Sequence, residues 1–427
     1  MGGCSCAILL TTTRVFSVRR SFSRVHEPKL MQIAVFSRQM RRSGVAAVAW
    51  LAAVTFPVAA SAAEALDINA PFAILMDSAT GAVLYEKAAD TQTPPASMLK
   101  LMTLDIVFSA LKDGRIKFED EFPVSPYAYK KGGERSGATT MFMPVNSSAR
   151  VADLVSGIAV ASANDACIVV AEGISGSEPA FAKLMSQTAF DLGITKAHFT
   201  NATGLPDPDQ SMSVRDLALV AQHIITQFPE YYTYFAQRNF SINNKLLLNK
   251  NSLLSQNIGV DGLKTGASSD GGNGIVASAL NDGRRLIVVL NGETSEADRS
   301  ADARKLFEHG SKAYKEATVF DAGEVISEAR VWGGSQYFVP LVSQGPAHII
   351  VPRGSAEGSR LKATVVYQGP LRAPVKKGDA VGYLRVESVE GIVSKVPVFA
   401  GADVPRSGVL ARGLDSILVL SLGWLMK

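Results

Sequence analysis

The chain has 427 residues, with 47% hydrophobic and 19% charged side chains. It is too long for one ordinary domain and too apolar to be disordered, so two domains plus accessory sequence are expected. Its formal charge of +4 comes from the front, where residues 1–62 carry eight Lys/Arg and one Asp/Glu; the remainder holds 35 basic against 38 acidic side chains, which gives no electrostatic ground for a nucleic-acid partner.

In chain order, Arg41-Arg42, an apolar run from Val45 to Ala60 and the small-residue end Ala60-Ser61-Ala62 form the three parts of an export leader, with cleavage expected after Ala62. The run is short for a membrane span and contains Pro57. A start at Met31 or Met40 leaves a leader of ordinary length. Cys4 and Cys6 depart with it. Cys167 alone remains, unable to form an internal disulfide, and its neighbours Ala166, Ile168 and Val169 mark it as buried apolar filler.

Phe72–Asp77 and Ala82–Glu86 flank Ser78-Ala79-Thr80-Gly81 and read as a strand hairpin. Pro94-Pro95 end the extended chain. A helix follows from Ser97 to Leu111, apolar on nearly every face, with Lys100 and Asp105 its only charges, and so belongs at the centre of a domain. Ala152–Glu172 is a second helical stretch, interrupted at Ser162-Ala163-Asn164-Asp165, and Ser213 opens a third that runs to about Gln227. Leu263–Gly266, Gly274–Leu280 and Arg285–Asn291 read as successive strands, and Ala301–Tyr314 returns to helix, completing an α/β layered domain over residues 63–320. From 321 to 400 short alternating runs such as Lys362–Tyr367 and Gly382–Ser388 indicate a small all-β domain of sandwich type. Residues 401–427 are a linker and an apolar tail, Leu410–Met426, expected to lie in a membrane interface. A helix docked on the protein itself is the other reading of that tail.

Three short motifs carry chemistry. In Ser97-Met98-Leu99-Lys100 the hydroxyl and the amine are three residues apart, hence on one helix face. An amine in apolar surroundings loses its charge more easily and can then take the serine proton. Ser162-Ala163-Asn164 places a hydroxyl and a carboxamide at a helix break, where Ser162 can relay a proton and Asn164 can hold a substrate amide; taken alone it also reads as a helix cap. Lys264-Thr265-Gly266 on a strand supplies a cation for a carboxylate, and its glycine removes a side chain where a substrate backbone must lie close; taken alone it also reads as an ordinary surface strand with a lysine.

The order and separation of these motifs match penicillin-recognising serine enzymes. With Pro94-Pro95-Ala96-Ser97, Thr140-Met141-Phe142, Ala163-Asn164-Asp165-Ala166, Thr203-Gly204-Leu205, Val214-Arg215-Asp216-Leu217-Ala218 and Val260-Asp261-Gly262-Leu263 added, the mature chain resembles the low-molecular-mass penicillin-binding proteins of serine-type D-alanyl-D-alanine carboxypeptidase type. The resemblance implies a transpeptidase/β-lactamase-like α/β (α+β) domain followed by a small β sandwich. It implies Ser97 as nucleophile, Lys100 as base and Ser162 as proton relay. Asn164, Lys264, Thr265 and Gly266 then hold substrate, the backbone N–H groups of Ser97 and Ala267 form an oxyanion hole, and Lys250 and Arg299 face the substrate carboxylate. The partners so implied are peptidoglycan pentapeptide stems, β-lactams and the outer face of the cytoplasmic membrane, with an exported, periplasmic location. No metal or other cofactor is expected, since five His residues are scattered along the chain without ligand spacing. The pattern departs from the family at Ala163, often glycine, and at Ala267, often histidine.

Three other functions fit part of this pattern. A class A β-lactamase needs a deacylating glutamate, yet Asn201–Arg215 contains only Asp207 and Asp209 as acids. A D,D-endopeptidase shares every motif. A non-catalytic wall-binding protein has no use for an intact Ser97, Lys100 and Lys264.

Overall fold

The computed structural model describes residues 15–18, 66–355, 361–388 and 390–408. The expected cleavage site after Ala62 and the tail Leu410–Met426 lie outside these residues.

Five antiparallel strands form the sheet of the first domain, in the spatial order Val83–Lys87, Phe72–Asp77, Arg284–Glu293, Gly272–Asn281, Val260–Ser268. The first two are the expected hairpin. Side chains alternate between the two faces, as the twofold strand period requires. Ile74, Met76, Val276, Ile287 and Val289 enter the larger core, whereas Ala73, Leu75, Ala277, Val288 and Leu290 enter a second core with Ala303, Leu306 and Phe307. Those last three belong to helix α7 (Glu296–Ala313), which covers one face and starts at Ser295, whose hydroxyl accepts the Asp298 N–H.

The other face carries the helical block: α1 (Lys100–Lys112), α2 (Pro126–Gly132), α3 (Val151–Ser156), α4 (Asn164–Ser175), α5 (Glu178–Asp191) and α6 (Val214–Gln227). Helix α1 is buried on all sides, as its sequence demands, and ends with Gly114 in the left-handed region. Ser97 itself sits just before it, in a 3₁₀ turn, Ala96–Leu99, so the regular helix begins at Lys100 and not at the serine. Helix α6 opens with a capping box between Ser213 and Asp216. The break between α3 and α4 is a π-helical turn, Gly157–Ala161, followed by Ser162 at φ 62°.

Strand Tyr314–Phe320 follows α7 directly and pairs with Ala347–Pro352. The facing sheet has the order Leu361–Tyr367, Ala380–Glu387, Val393–Ala400, Phe338–Val342, Val325–Trp332, Leu371–Arg372, with Val15–Val18 beside Leu361–Tyr367. Val331, Val339, Leu341, Ile349, Leu384 and Val398 fill the space between, a small β sandwich with its own core. Among the described residues no helix is long and apolar enough to cross a membrane.

Candidate active site

Strand Val260–Ser268 is the edge of its sheet, so one row of its backbone groups is unpaired within that sheet. The Ser97 turn packs against it. A Cβ on Gly266 would stand 3.1 Å from the Met98 N, the Met98 Cγ and the Pro95 carbonyl oxygen. The sequence reading assigned this glycine to close approach of substrate. The structure gives it a further cause, because the neighbour it accommodates is the turn that carries the serine. Ala267 is the next residue outward and is exposed, so its N–H follows the point where strand and turn meet.

The turn is held from the opposite side by Gly204. This glycine has φ +75°, and a Cβ on it would overlap the Ala96 carbonyl oxygen. Ala96 has φ 46°, an uncommon conformation for a residue with a side chain. The turn is thus clamped between the Thr203-Gly204 backbone and Gly266.

Lys100 is fully buried. Its Nζ lies 2.9 Å from the Ser97 Oγ and donates to the Thr203 carbonyl at 2.5 Å. Burial is the chief cause pushing its pKa down from 10.5 to about 8, and the Lys250 charge acts in the same direction. With one N–H committed to the carbonyl, the lone pair of the neutral amine is free to accept the serine proton. The role of the Thr203 carbonyl was not legible in the sequence. Its only signal was the presence of Thr203-Gly204-Leu205, which names residues without saying which backbone atom matters.

Lys264 is 2% exposed. Burial lowers its pKa well below the usual lysine value, reinforced by the Lys100 and Lys250 cations and by Arg299. Its Nζ donates to the Thr265 carbonyl, and Thr265 is buried beside it. Cys167 lies on α4, near Lys100 and Lys264. It is fully buried and free, with its pKa pushed up to about 12 by burial, and so is a neutral filler where the motif-bearing segments meet.

Ser162 and Asn164 are both buried, and the Gly157–Ala161 turn that leads to them packs against α1. The left-handed Ser162 reverses the chain, and Asn164 becomes the first residue of α4, where its N–H has no acceptor in the helix. That N–H donates to the Thr139 carbonyl at 2.8 Å. The Asn164 side-chain oxygen is buried with no hydrogen-bond partner among the described residues, as befits a group kept for a ligand.

The two cations named on resemblance alone occupy different settings. Lys250 is exposed and reaches Thr139 Oγ1 at 3.3 Å. Arg299 is buried in the first turn of α7; its Nε and Nη2 have no partner among the described residues, and Glu296 stands 4.0 Å away. Burial lowers its pKa, and it acts on Lys264. Such a guanidinium is an unspent donor set for an anion.

Residues 58–294 match the family model for D-alanyl-D-alanine carboxypeptidase, and residues 314–406 match that for the C-terminal domain of penicillin-binding protein 5. The chain belongs to the D-alanyl-D-alanine carboxypeptidase family. Among its relatives, the D-alanyl-D-alanine carboxypeptidase DacC of Escherichia coli is 34% identical over 88% of this chain and 94% of its own. The DacF enzyme of Bacillus subtilis is 30% identical over 80% of this chain and 87% of its own. Among solved structures, penicillin-binding protein 5 of Haemophilus influenzae superposes with a TM-score of 0.67 at 33% identity, covering 80% of this chain and 98% of that one. Penicillin-binding protein D2 of Listeria monocytogenes in an ampicillin-bound form matches with a TM-score of 0.50 at 28% identity, over 58% of this chain and 99% of that one. The fold and family expected from the motifs are therefore those of the chain, the second β domain included.

Proposed function

We propose that this protein is a serine-type D-alanyl-D-alanine carboxypeptidase that removes the terminal D-alanine from peptidoglycan pentapeptide stems. The observation that carries the reading is the buried Lys100 amine, 2.9 Å from the Ser97 hydroxyl and with a pKa near 8. Neutral Lys100 takes the Ser97 proton, and the Ser97 Oγ forms a bond to the carbonyl carbon between the last two D-alanines. The resulting oxyanion accepts from the N–H groups of Ser97 and Ala267, a stabilisation that matters because the charge appears only on the way to the intermediate. The C–N bond then breaks, D-alanine leaves with a proton delivered through Ser162 or Lys100, and water hydrolyses the ester.

In this reading Asn164 holds the acyl-side amide. The departing carboxylate lies near Lys264 and Thr265, with Arg299 behind them and Lys250 at the mouth. β-Lactams acylate Ser97 because they present a strained amide in the same place. The leader and the apolar tail support export and a peripheral position on the outer face of the cytoplasmic membrane.

The test is labelling with a fluorescent penicillin. The wild-type protein is expected to form a covalent adduct that survives denaturation, and Ser97→Ala none. Equal labelling of both proteins would assign the wrong nucleophile. Product analysis on a pentapeptide and on a crosslinked dimer separates carboxypeptidase from endopeptidase action.

A further inference from the structure

Beside Asn164 lies a carboxylate that none of the three motifs uses. Asp165 has no exposed surface, and its oxygens are fully engaged. Oδ1 accepts the N–H groups of Met141 and Ala166, both at 3.0 Å. Oδ2 accepts the Thr140 hydroxyl at 2.5 Å and, more weakly, the Met143 N–H at 3.4 Å. Burial raises its pKa, while these four donors pull it back toward the charged form.

Three of the four donors belong to one segment, Thr140–Met143. That stretch has no regular secondary structure, so it has no ladder of its own to hold it. Phe142 within it sits at φ 61°. The Lys245 ammonium lies 3.7 Å from the centre of the Phe142 ring, and Thr140 Oγ1 also accepts the Phe142 N–H. On the helical side, a Cβ on Gly132 would overlap the Asn164–Asp165 peptide, so the chain entering the segment is packed directly on the same residues.

Thr139, immediately before this segment, makes two contacts at the site: its carbonyl accepts the Asn164 N–H, and its hydroxyl meets Lys250 Nζ. We propose that Asp165 is a positioning residue for substrate binding. Its carboxylate ties Thr140–Met143 to the start of α4, which fixes Thr139 and through it the placement of Asn164 and Lys250 as one wall of the cleft. The Ser97–Lys100 pair stands on the Ala96–Leu99 turn and α1 and makes no hydrogen bond to Asp165 among the described residues. The wall contacts parts of the substrate that change little during reaction, so its loss weakens ground and transition states together, and that appears in KM.

The inference rests on the site reading given above, so each experiment includes wild type and Ser97→Ala labelled with fluorescent penicillin. A failed control would strike that reading and not the role of Asp165. With a diacetylated L-Lys-D-Ala-D-Ala tripeptide as substrate, Asp165→Asn is expected to raise KM about tenfold or more while kcat stays within about threefold. Thr140→Val is expected to raise KM in the same sense, and Thr140→Ser, which keeps the hydroxyl, to restore it to within about twofold of wild type. The Thr140 pair decides the matter if Asp165→Asn does not fold. An unchanged KM in folded Thr140→Val, or equal losses in the valine and serine variants, would overturn the proposal. So would a fall confined to kcat with KM unchanged.

Discussion

The Lys100 amine makes the pH dependence of acylation a direct test of the site. Its pKa is pushed from 10.5 to about 8, chiefly by burial, a difference of about 3 kcal/mol in favour of the neutral form. At pH 7 about a tenth of the molecules then hold a neutral amine, and at pH 6 about a hundredth. Only that fraction can take the serine proton. The second-order rate of penicillin acylation is therefore expected to rise about tenfold per unit from pH 6 to 7 and to level above about 8. An unperturbed lysine would keep rising to about 10.4.

The perturbation is Lys250→Met. Lys250 pushes the Lys100 pKa down, so removing its charge favours the ammonium and moves the limb to higher pH. Stopped-flow acylation by a chromogenic cephalosporin, from pH 5.5 to 9.5 at constant ionic strength, reads both limbs. A flat wild-type profile, or a limb that shifts to lower pH in Lys250→Met, would refute the assignment of Lys100 as the base.

Two further outcomes concern Lys100 and Gly204. A lysine whose folded pKa lies below its unfolded one binds fewer protons when folded, so its cost is full below about pH 8 and vanishes above about 10.5. Replacement by methionine removes that cost but leaves the Thr203 carbonyl without its donor. Lys100→Met is expected to abolish acylation yet stabilise the fold by about 1–2 kcal/mol at pH 7, with the gain shrinking toward pH 10, as read by urea unfolding. Gly204→Ala is expected to destabilise the protein by about 3 kcal/mol or more and to abolish labelling, since the new Cβ meets the Ala96 carbonyl at a left-handed backbone position; thermal unfolding measured beside penicillin labelling checks it.

Much of the fold was legible because it is written in local periods. The short continuous apolar runs in Phe72–Asp77 and Arg284–Glu293 mark strands buried on both faces, the nearly all-apolar stretch after Lys100 marks a central helix, and Ser213 with Asp216 marks a helix start. The spacing of Ser97 and Lys100 was enough to pair them, since three residues of helical chain bring two side chains to one face whatever surrounds them.

What surrounds them came only from the tertiary structure. The carbonyl that orients the Lys100 amine is 103 residues away in sequence. Gly204 and Gly266 are small because of the Ser97 turn packed between them, and Asp165 matters through a segment more than twenty residues upstream. Periodicity and motif spacing describe a residue by its chain neighbours. A depressed pKa, a clamped turn or a satisfied buried carboxylate depends instead on atoms that only folding brings within a few ångströms.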